Sequence, residues 1–331
     1  DSSLEIDVVE EIGRHHGYDK SGRRVPTPTQ AGALTPAQAN RRRIRQALRG
    51  AGHDEAMPNP FLAPGDLDRA GLGDDGISLV NPLVAEESIL RTSLLPGLLK
   101  TIAYNQAHRA DAMRFYELGR VYRPSDAELP DERELVAIAH SGLTADDEAA
   151  KVAVTQLYRL AAGLGLQDVK IVNGARPGLH PTRSAEVHFR GRTLGEVGEI
   201  DPGVLAAYGV EGRVAWFQLE AGPIVEAMTR VPKFAEISRY PSSDIDLAFG
   251  VADEVAATDV VRTLQKAGKP LVRRVRLFDV FRGAQLEPGT RSLAFALRFQ
   301  ADDRTLTEAE LAEVRQSCID AVAKAHGGVL R

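Results

Sequence analysis

Apolar residues recur at Leu4, Ile6, Val8, Val9 and Ile12 and give way at Gly17, which predicts a short helix over residues 4–16 with a glycine C-cap. Residues 21–33 bring in Gly22, Pro26, Pro28 and Gly32 and predict a linker. Thr35-Pro36-Ala37 offers a cap residue and a first-turn proline, predicting a helix that ends at Gly50. Ile44 and Leu48, four residues apart, mark its buried side. From 51 to 142 short apolar runs alternate with turn residues, and Arg114–Tyr122 and Leu135–Ala139 read as strands. A helix is predicted from Asp146 to Leu164. Strands follow at 168–172, 185–190 and 193–200, then a short helix at Asp201–Tyr208 and a strand at Val214–Leu219. Without regular βαβ alternation, this order predicts an α+β fold with a largely antiparallel sheet.

A second module starts at Ser238. It reads strand Asp244–Val251, helix Ala257–Lys266, strand Leu271–Phe281, a turn at Gly283–Gly289, strand Ser292–Gln300, a helix from Thr307 to about Ala325, and a last strand around Val329-Leu330. Thr307 with Glu310 three residues on forms a capping box. The order βαββαβ is that of a ferredoxin-like sandwich.

Composition adds bounds. At 331 residues, two or three domains are expected. The 26% charged and 43% hydrophobic fractions are ordinary for a soluble globular protein, and 5% aromatics predicts an aliphatic core. A net charge of -5 argues against a broad polybasic surface while leaving room for a local patch. Ser238–Arg331 holds 14 Lys/Arg against 13 Asp/Glu, hence +1, and the remainder carries -6. The single cysteine, Cys318, excludes an intrachain disulfide and a Cys-rich zinc site. It sits in a helical pattern beside Val314, Ile319 and Val322 and is expected to be a buried hydrophobe in a reducing cytoplasm. No apolar run approaches the ~18 residues of a membrane span. No signal-peptide pattern is read at Asp1, and the start without Met is expected to mark a piece of a longer polypeptide.

Three clusters carry candidate chemistry. Asp7, Glu10 and Glu11 stand at i, i+3 and i+4, which puts three carboxylates on one helix face. Oxygen donors of this kind suit a hard ion such as Mg²⁺, and an acidic first turn favoured by the helix dipole is the plainer reading. The neighbouring His15 and His16 point about 100° apart on a helix and do not chelate together. Arg41, Arg42, Arg43, Arg45 and Arg49 form a basic run that suits either an RNA phosphate contact or a solvated helix face. In the last module Arg239, Arg274, Arg276, Arg282, Arg291 and Arg298 are candidates for RNA phosphate or base contacts. Strand alternation puts Arg274 and Arg276 on one sheet face and Arg273 on the other.

Leu90-Arg91-Thr92-Ser93-Leu94-Leu95-Pro96-Gly97-Leu98-Leu99, with Asn81-Pro82-Leu83 before it, and Met113-Arg114-Phe115-Tyr116-Glu117-Leu118-Gly119-Arg120-Val121-Tyr122 resemble the first and second motifs of class II aminoacyl-tRNA synthetases. In that family an Arg two residues before the Glu of the second motif grips ATP phosphate; here that position is Phe115. The Gly-x-Gly-x-x-x-Arg stretch that supplies the second phosphate-binding Arg does not follow. ATP activation needs cations where transition-state charge builds up, so no adenylate chemistry is expected and no catalytic residue is named. Asp1, Asp7, Glu10-Glu11 and Gly17-Tyr18, the segments Gly178-Leu179-His180-Pro181 and Gly195–Pro202, and Leu277–Gly283, Ser292–Phe295 and Asp303–Thr307 are similar to the β subunits of bacterial phenylalanyl-tRNA synthetases. Three positions depart from that pattern: His15 and His16, in a stretch usually apolar or aromatic, and Asp201, usually His.

The resemblance implies a division into residues 1–20, the end of a B5-type domain; 21–34, a linker; 35–230, a non-catalytic synthetase-like domain; and 238–331, a ferredoxin-fold anticodon-binding domain. It implies a cytoplasmic α₂β₂ phenylalanine–tRNA ligase in which the α subunit binds ATP and performs the chemistry. This chain would hold α, share a Mg²⁺ ion with it through Asp1, Asp7, Glu10 and Glu11, and bind tRNA(Phe). Neither DNA nor membrane contact is expected, nor editing of mischarged tRNA. A free-standing RNA-binding scaffold with a degenerate synthetase fold, and an independent ligase acting on a small acid, remain open alternatives.

Overall fold

The computed structural model of the chain describes residues 3–25, 27, 32–73, 76–144, 146–228, 237–283 and 285–331. Two compact units, residues 1–232 and 233–331, contain separate cores. Asp1, and Pro26 and Pro28 of the expected linker, lie outside the described residues.

In the first unit α1 (Glu5–His16) ends at Gly17 as expected and buries none of its residues; Leu4, Ile6, Val9 and Ile12 stay exposed. Next comes α2 (Pro36–Gly50), opened by a capping box in which Thr35 Oγ1 accepts from Gln38 N at 3.3 Å and Gln38 Oε1 accepts from Thr35 N at 2.9 Å. Ile44 and Leu48 are its buried side. The stubs β1 (Asp54–Glu55), β2 (Phe61–Leu62), α3 (Asp66–Arg69), β3 (Ile77–Ser78) and β4 (Ile89–Leu90) lead into α4 (Leu95–Ala107). Then follow β5 (Arg114–Arg123), β6 (Asp131–Leu143), α5 (Ala149–Leu164), β7 (Val169–Asn173), β8 (Leu179–Phe189), β9 (Arg192–Ile200), α6 (Pro202–Tyr208), β10 (Arg213–Glu220) and α7 (Ala221–Ala227).

Seven strands form one sheet in the order β1-β5-β6-β10-β9-β8-β7, antiparallel throughout except for β1 beside β5. A small antiparallel sheet, β2-β4-β3, stands apart from it. Both faces of the large sheet are clad. Val136 and Ile138 of β6, and Ala215 and Phe217 of β10, join Ile44, Leu157 and Leu160 from the helices on one face. Leu135, Ala137 and Ala139, with Val214 and Trp216, join Leu94, Leu98, Leu99 and Ile102 on the other. A strand buried on both sides needs no polar alternation, which is why 135–139 is a continuous apolar run.

Several elements depart from the pattern-based expectation, three of them for a plain physical reason. Among the predicted helices there is none at α4: Leu95 to Leu99 are all buried, so no polar stripe marks it, and Pro96-Gly97 reads as a turn. Pro96 in fact occupies the first turn, where its missing N–H costs nothing. A Cβ on Gly97 would stand 2.8 Å from Pro58 Cγ, so the glycine is there for close packing. The helix α5 starts at Ala149 rather than Asp146, because the Asp147 carboxylate accepts from Thr144 N (2.8 Å) and Oγ1 (2.9 Å) and closes a turn ahead of it. Finally, β8 starts at Leu179, not 185, with its register to β9 shifted between Leu179 and Ser184.

The second unit runs β11 (Ser243–Ala252), α8 (Ala257–Ala267), β12 (Val272–Phe281), β13 (Thr290–Phe299), α9 (Glu308–His326) and β14 (Val329–Leu330). Its sheet order, β12-β13-β11-β14, all antiparallel, is the expected ferredoxin-like arrangement. Leu247, Phe249, Leu293, Phe295 and Leu297 pack with Val260 and Leu264 of α8 and Val314 and Val322 of α9. Cys318 is part of this core, and burial pushes its thiol up to about 11. The fold class read from the sequence, α+β with a ferredoxin-like second module, is the one observed.

No helix among the described residues is long and apolar enough to cross a membrane.

Candidate functional site

The synthetase-like residues meet where β4 hands over to α4 beside β5. Alternation along β5 sends Tyr116 and Leu118 to one apolar cluster and Phe115 and Val121 to the other. Phe115, partly buried, packs against the Leu94–Trp216 cluster, so the position carries an apolar contact in place of a cation. Arg114 points the other way, its Nε donating to His140 Nε2 at 3.2 Å.

Glu117 is kept, and one of its oxygens is engaged by Arg91. Arg91, 4% exposed, puts Nη2 2.7 Å from Glu117 Oε1 and donates Nε to the carbonyl of Arg120 at 2.8 Å. Arg91 Nη1 and Glu117 Oε2 are buried without partners. Burial pushes the Glu117 carboxyl up to about 7, against the pull of the Arg91 guanidinium. Gly119 makes room for the pair: a Cβ there would stand 2.4 Å from both Arg91 Nη2 and Glu117 Oε1. Both motifs were legible in the sequence, yet their union was not. The signal was the Glu-x-Gly spacing, which puts residues 117 and 119 on one strand face.

A second polar cluster had no sequence signal. His53, 2% exposed, lies edge-on to His140 with ring centroids 6.2 Å apart. Burial first, then His140, holds the His53 pKa down to about 4. Burial and Arg114 lower that of His140.

Of the expected metal ligands, Asp7 is half-buried, and its Oδ2 accepts from Ser3 N (3.0 Å) and Leu4 N (2.9 Å) as the N-terminal cap of α1. Glu11 is paired with Arg14 at 2.5 Å, and Glu10 is exposed. Among the described residues no three His, Cys, Asp or Glu side chains come together to hold a metal. The donors suit a hard cation, but α1 in this arrangement spends two of them on its cap and on Arg14.

The six candidate RNA-facing arginines separate. Arg239, Arg274 and Arg276 are exposed, and Arg276 stands over the Phe278 ring at 6.0 Å. Arg298 is bidentate to Asp244 (2.8 and 2.6 Å), and Arg282 lies 3.1 Å from Asp253. Arg291 is half-buried and donates Nη2 to the Val255 carbonyl at 2.8 Å, so it anchors the strand to the loop before α8. Register places Arg274 and Arg298 opposite one another, and Arg276 opposite Ala296, on the sheet face away from the helices. Phe278 and Phe281 remain exposed on this edge strand; an apolar run at a strand end did not distinguish them from core.

Residues 23–221 match the family model described as phenylalanyl tRNA synthetase beta chain CLM domain, and residues 238–331 match the ferredoxin-fold anticodon binding domain. Relatives named phenylalanine–tRNA ligase beta subunit include those of Geobacillus kaustophilus, 35% identical over 100% of this chain and 42% of the relative, and of Moorella thermoacetica, 35% identical over 100% of this chain and 43% of the relative. That of Anaeromyxobacter dehalogenans is 37% identical over 94% of this chain and 40% of the relative. The chain thus spans about two fifths of the length of these relatives. With one family model running from residue 23 to 221 and a second over 238–331, the chain belongs to the phenylalanyl-tRNA synthetase beta chain family.

Proposed function

We propose that this chain is the part of a phenylalanine–tRNA ligase β subunit that holds an α subunit and engages tRNA(Phe), in a cytoplasmic α₂β₂ enzyme whose ATP site lies on α. One observation carries the non-catalytic reading: where an ATP-gripping Arg would stand, Phe115 is packed into an apolar cluster, and the neighbouring Glu117 is spent on Arg91. A phosphate brought to this position would meet an aromatic ring where the guanidinium would stand, and transition-state charge would go unanswered there.

The RNA-binding face is the helix-free side of the β11–β14 sheet. Arg274 and Arg276 offer charge there, Arg239 is exposed in the segment that leads into the unit, and Phe278 and Phe281 offer ring surface for unpaired bases. Arg282 and Arg298 can exchange their aspartates for phosphate, whereas Arg291 serves the fold. Asp7, Glu10 and Glu11, with Asp1, are the oxygen donors we assign to a Mg²⁺ ion shared with α, which requires Glu11 to leave Arg14. A bound Mg²⁺ would supply charge neutralisation at that junction. The domain division at 1–20, 21–34, 35–230 and 238–331 belongs to the same proposal.

The test is ATP–pyrophosphate exchange with phenylalanine. The isolated chain is expected to show none, and addition of the α subunit is expected to restore it. Exchange by the chain alone would overturn the proposal.

A further inference from the structure

The Gly178-Leu179-His180-Pro181 segment noted in the sequence opens a stretch of β8 that does not run as a plain strand. On β9 Leu179 pairs with Ile200 and Ser184 with Gly198, so four residues of β8, 180–183, stand against Glu199 alone. The surplus forms an arch. Inside it His180 Nδ1 accepts from Thr182 N at 3.3 Å, and at its end Ser184 Oγ donates to the Gly174 carbonyl at 3.1 Å. A Cβ on Gly198 would stand 2.5 Å from the Arg183 carbonyl oxygen, so a glycine is what lets β9 lie this close to the arch. On the other side β7, the edge strand, stops at Asn173 opposite Ala185 and gives the arch no neighbour. Between the arch, the end of β7 and the first turns of α5 lies a cleft of about 430 Å³.

We infer that this cleft binds a small carboxylic acid with a compact apolar body. The inference goes beyond the tRNA and subunit roles proposed above and depends on neither. The floor is the rim of the main core: Ile171, Ala185 and Val197 from the sheet, with Val154 from α5. The polar groups come from the arch, where Thr182 and Ser184 bring hydroxyls and Arg183 a guanidinium that is 42% exposed. Arg183 donates Nε to Glu199 Oε2 (2.8 Å) and Nη2 to Glu199 Oε1 (3.3 Å); among the described residues its Nη1 has no partner. Glu199 is 2% exposed and also accepts from Nε and Nη2 of Arg213 (2.9 and 2.5 Å), so one carboxylate serves two guanidiniums. That sharing fixes Arg183 in place and leaves part of its charge unanswered, which is what a pre-oriented anion partner needs. An apolar floor with a few convergent polar groups, at this volume, is the make-up of a small-molecule site, and a strand bulge is a common means of aiming a side chain into one. No acidic side chain lines the cleft, so the α-ammonium of an amino acid would find no counter-charge. A bare phosphate would leave most of its oxygens against the apolar floor.

The experiment is a saturation-transfer NMR titration of the full chain with 3-phenylpropionate, its neutral counterpart 3-phenylpropan-1-ol, and L-phenylalanine, with inorganic phosphate as competitor. The acid is expected to bind with a Kd on the order of 1 mM or tighter. The alcohol and the amino acid should bind roughly tenfold more weakly or not at all, and equimolar phosphate should not displace the acid. R183Q should weaken the acid by about tenfold and leave the alcohol unchanged. A150F fills the cleft from α5 without touching Glu199; it should abolish binding while keeping the wild-type circular dichroism spectrum, and it carries the test if R183Q misfolds. If the acid does not bind, the inference falls. Equal binding of acid and alcohol would leave an apolar cleft with no anion partner, and undiminished binding by A150F would put the site elsewhere; either result overturns the inference. So would L-phenylalanine binding as tightly as the acid, or displacement of the acid by phosphate, since each points to a different ligand class. None of these results bears on tRNA binding or on capture of the α subunit.

Discussion

His53 shows how a single side chain ties stability to acidity. Its ring is buried beside His140, and its pKa falls from 6.5 to about 4. Between those values the unfolded chain takes a proton that the folded chain refuses, so stability is full above pH 6.5 and drains away as pH falls towards 4. The shift corresponds to about 3 kcal/mol at 1.36 per unit. His140, also lowered, adds in the same direction. We expect the melting temperature of the wild type to drop steeply from pH 6.5 to 4, and H53L to lose distinctly less over that interval. A parallel fall in both proteins would dismiss His53 as the cause. Nothing in the sequence pointed to this residue: a histidine between Gly52 and Asp54 reads as turn, and only the return of β6 beside it supplies the burial. Phe115, in contrast, was legible because its meaning lay in a missing charge at a fixed distance from Glu117.

At the level of elements, caps and two-fold alternation were the reliable signals and uniform burial was the misleading one. Thr307 was readable as a cap through Glu310 three residues on, and Thr35 as a cap before a first-turn proline; in both, a hydroxyl three positions before Gln or Glu satisfies two end groups reciprocally. The structure shows both boxes. In T35A, α2 should lose about 1 kcal/mol, measurable as a lower urea midpoint with unchanged slope; a loss near zero would mean water replaces the cap. The helix α4 was hidden for the opposite reason, because a helix buried on every side has no stripe to show. The helix α7 was hidden by its own Gly222-Pro223, residues that read as a turn but here fall in the first helical turn.

For the whole molecule, two cores in one chain have a direct thermodynamic consequence. The Leu247–Phe299 cluster draws every one of its members from residues 245–330. Residues 238–331 expressed alone are therefore expected to melt cooperatively and to keep a native circular dichroism spectrum, with Phe295 and Phe299 buried. A non-cooperative profile would show that this unit depends on the rest of the chain. The ferredoxin-like order was legible in full because each of its strands and helices alternates with a visible turn. The sheet order of the first unit was not legible, since β7 to β10 follow one another in sequence while β5 and β6 join them through β10, a pairing set by packing on both faces.

That double cladding also fixes what a single mutation can recover. Restoring an arginine at position 115 would exchange a partly buried ring packed on the Leu94–Trp216 cluster for a charged side chain, while Glu117 is already held by Arg91. One codon change would therefore give an unstable protein before it gave a ligase, and the way back to catalysis runs through several simultaneous replacements. A lineage that once filled this face with side chains is held there by its own packing.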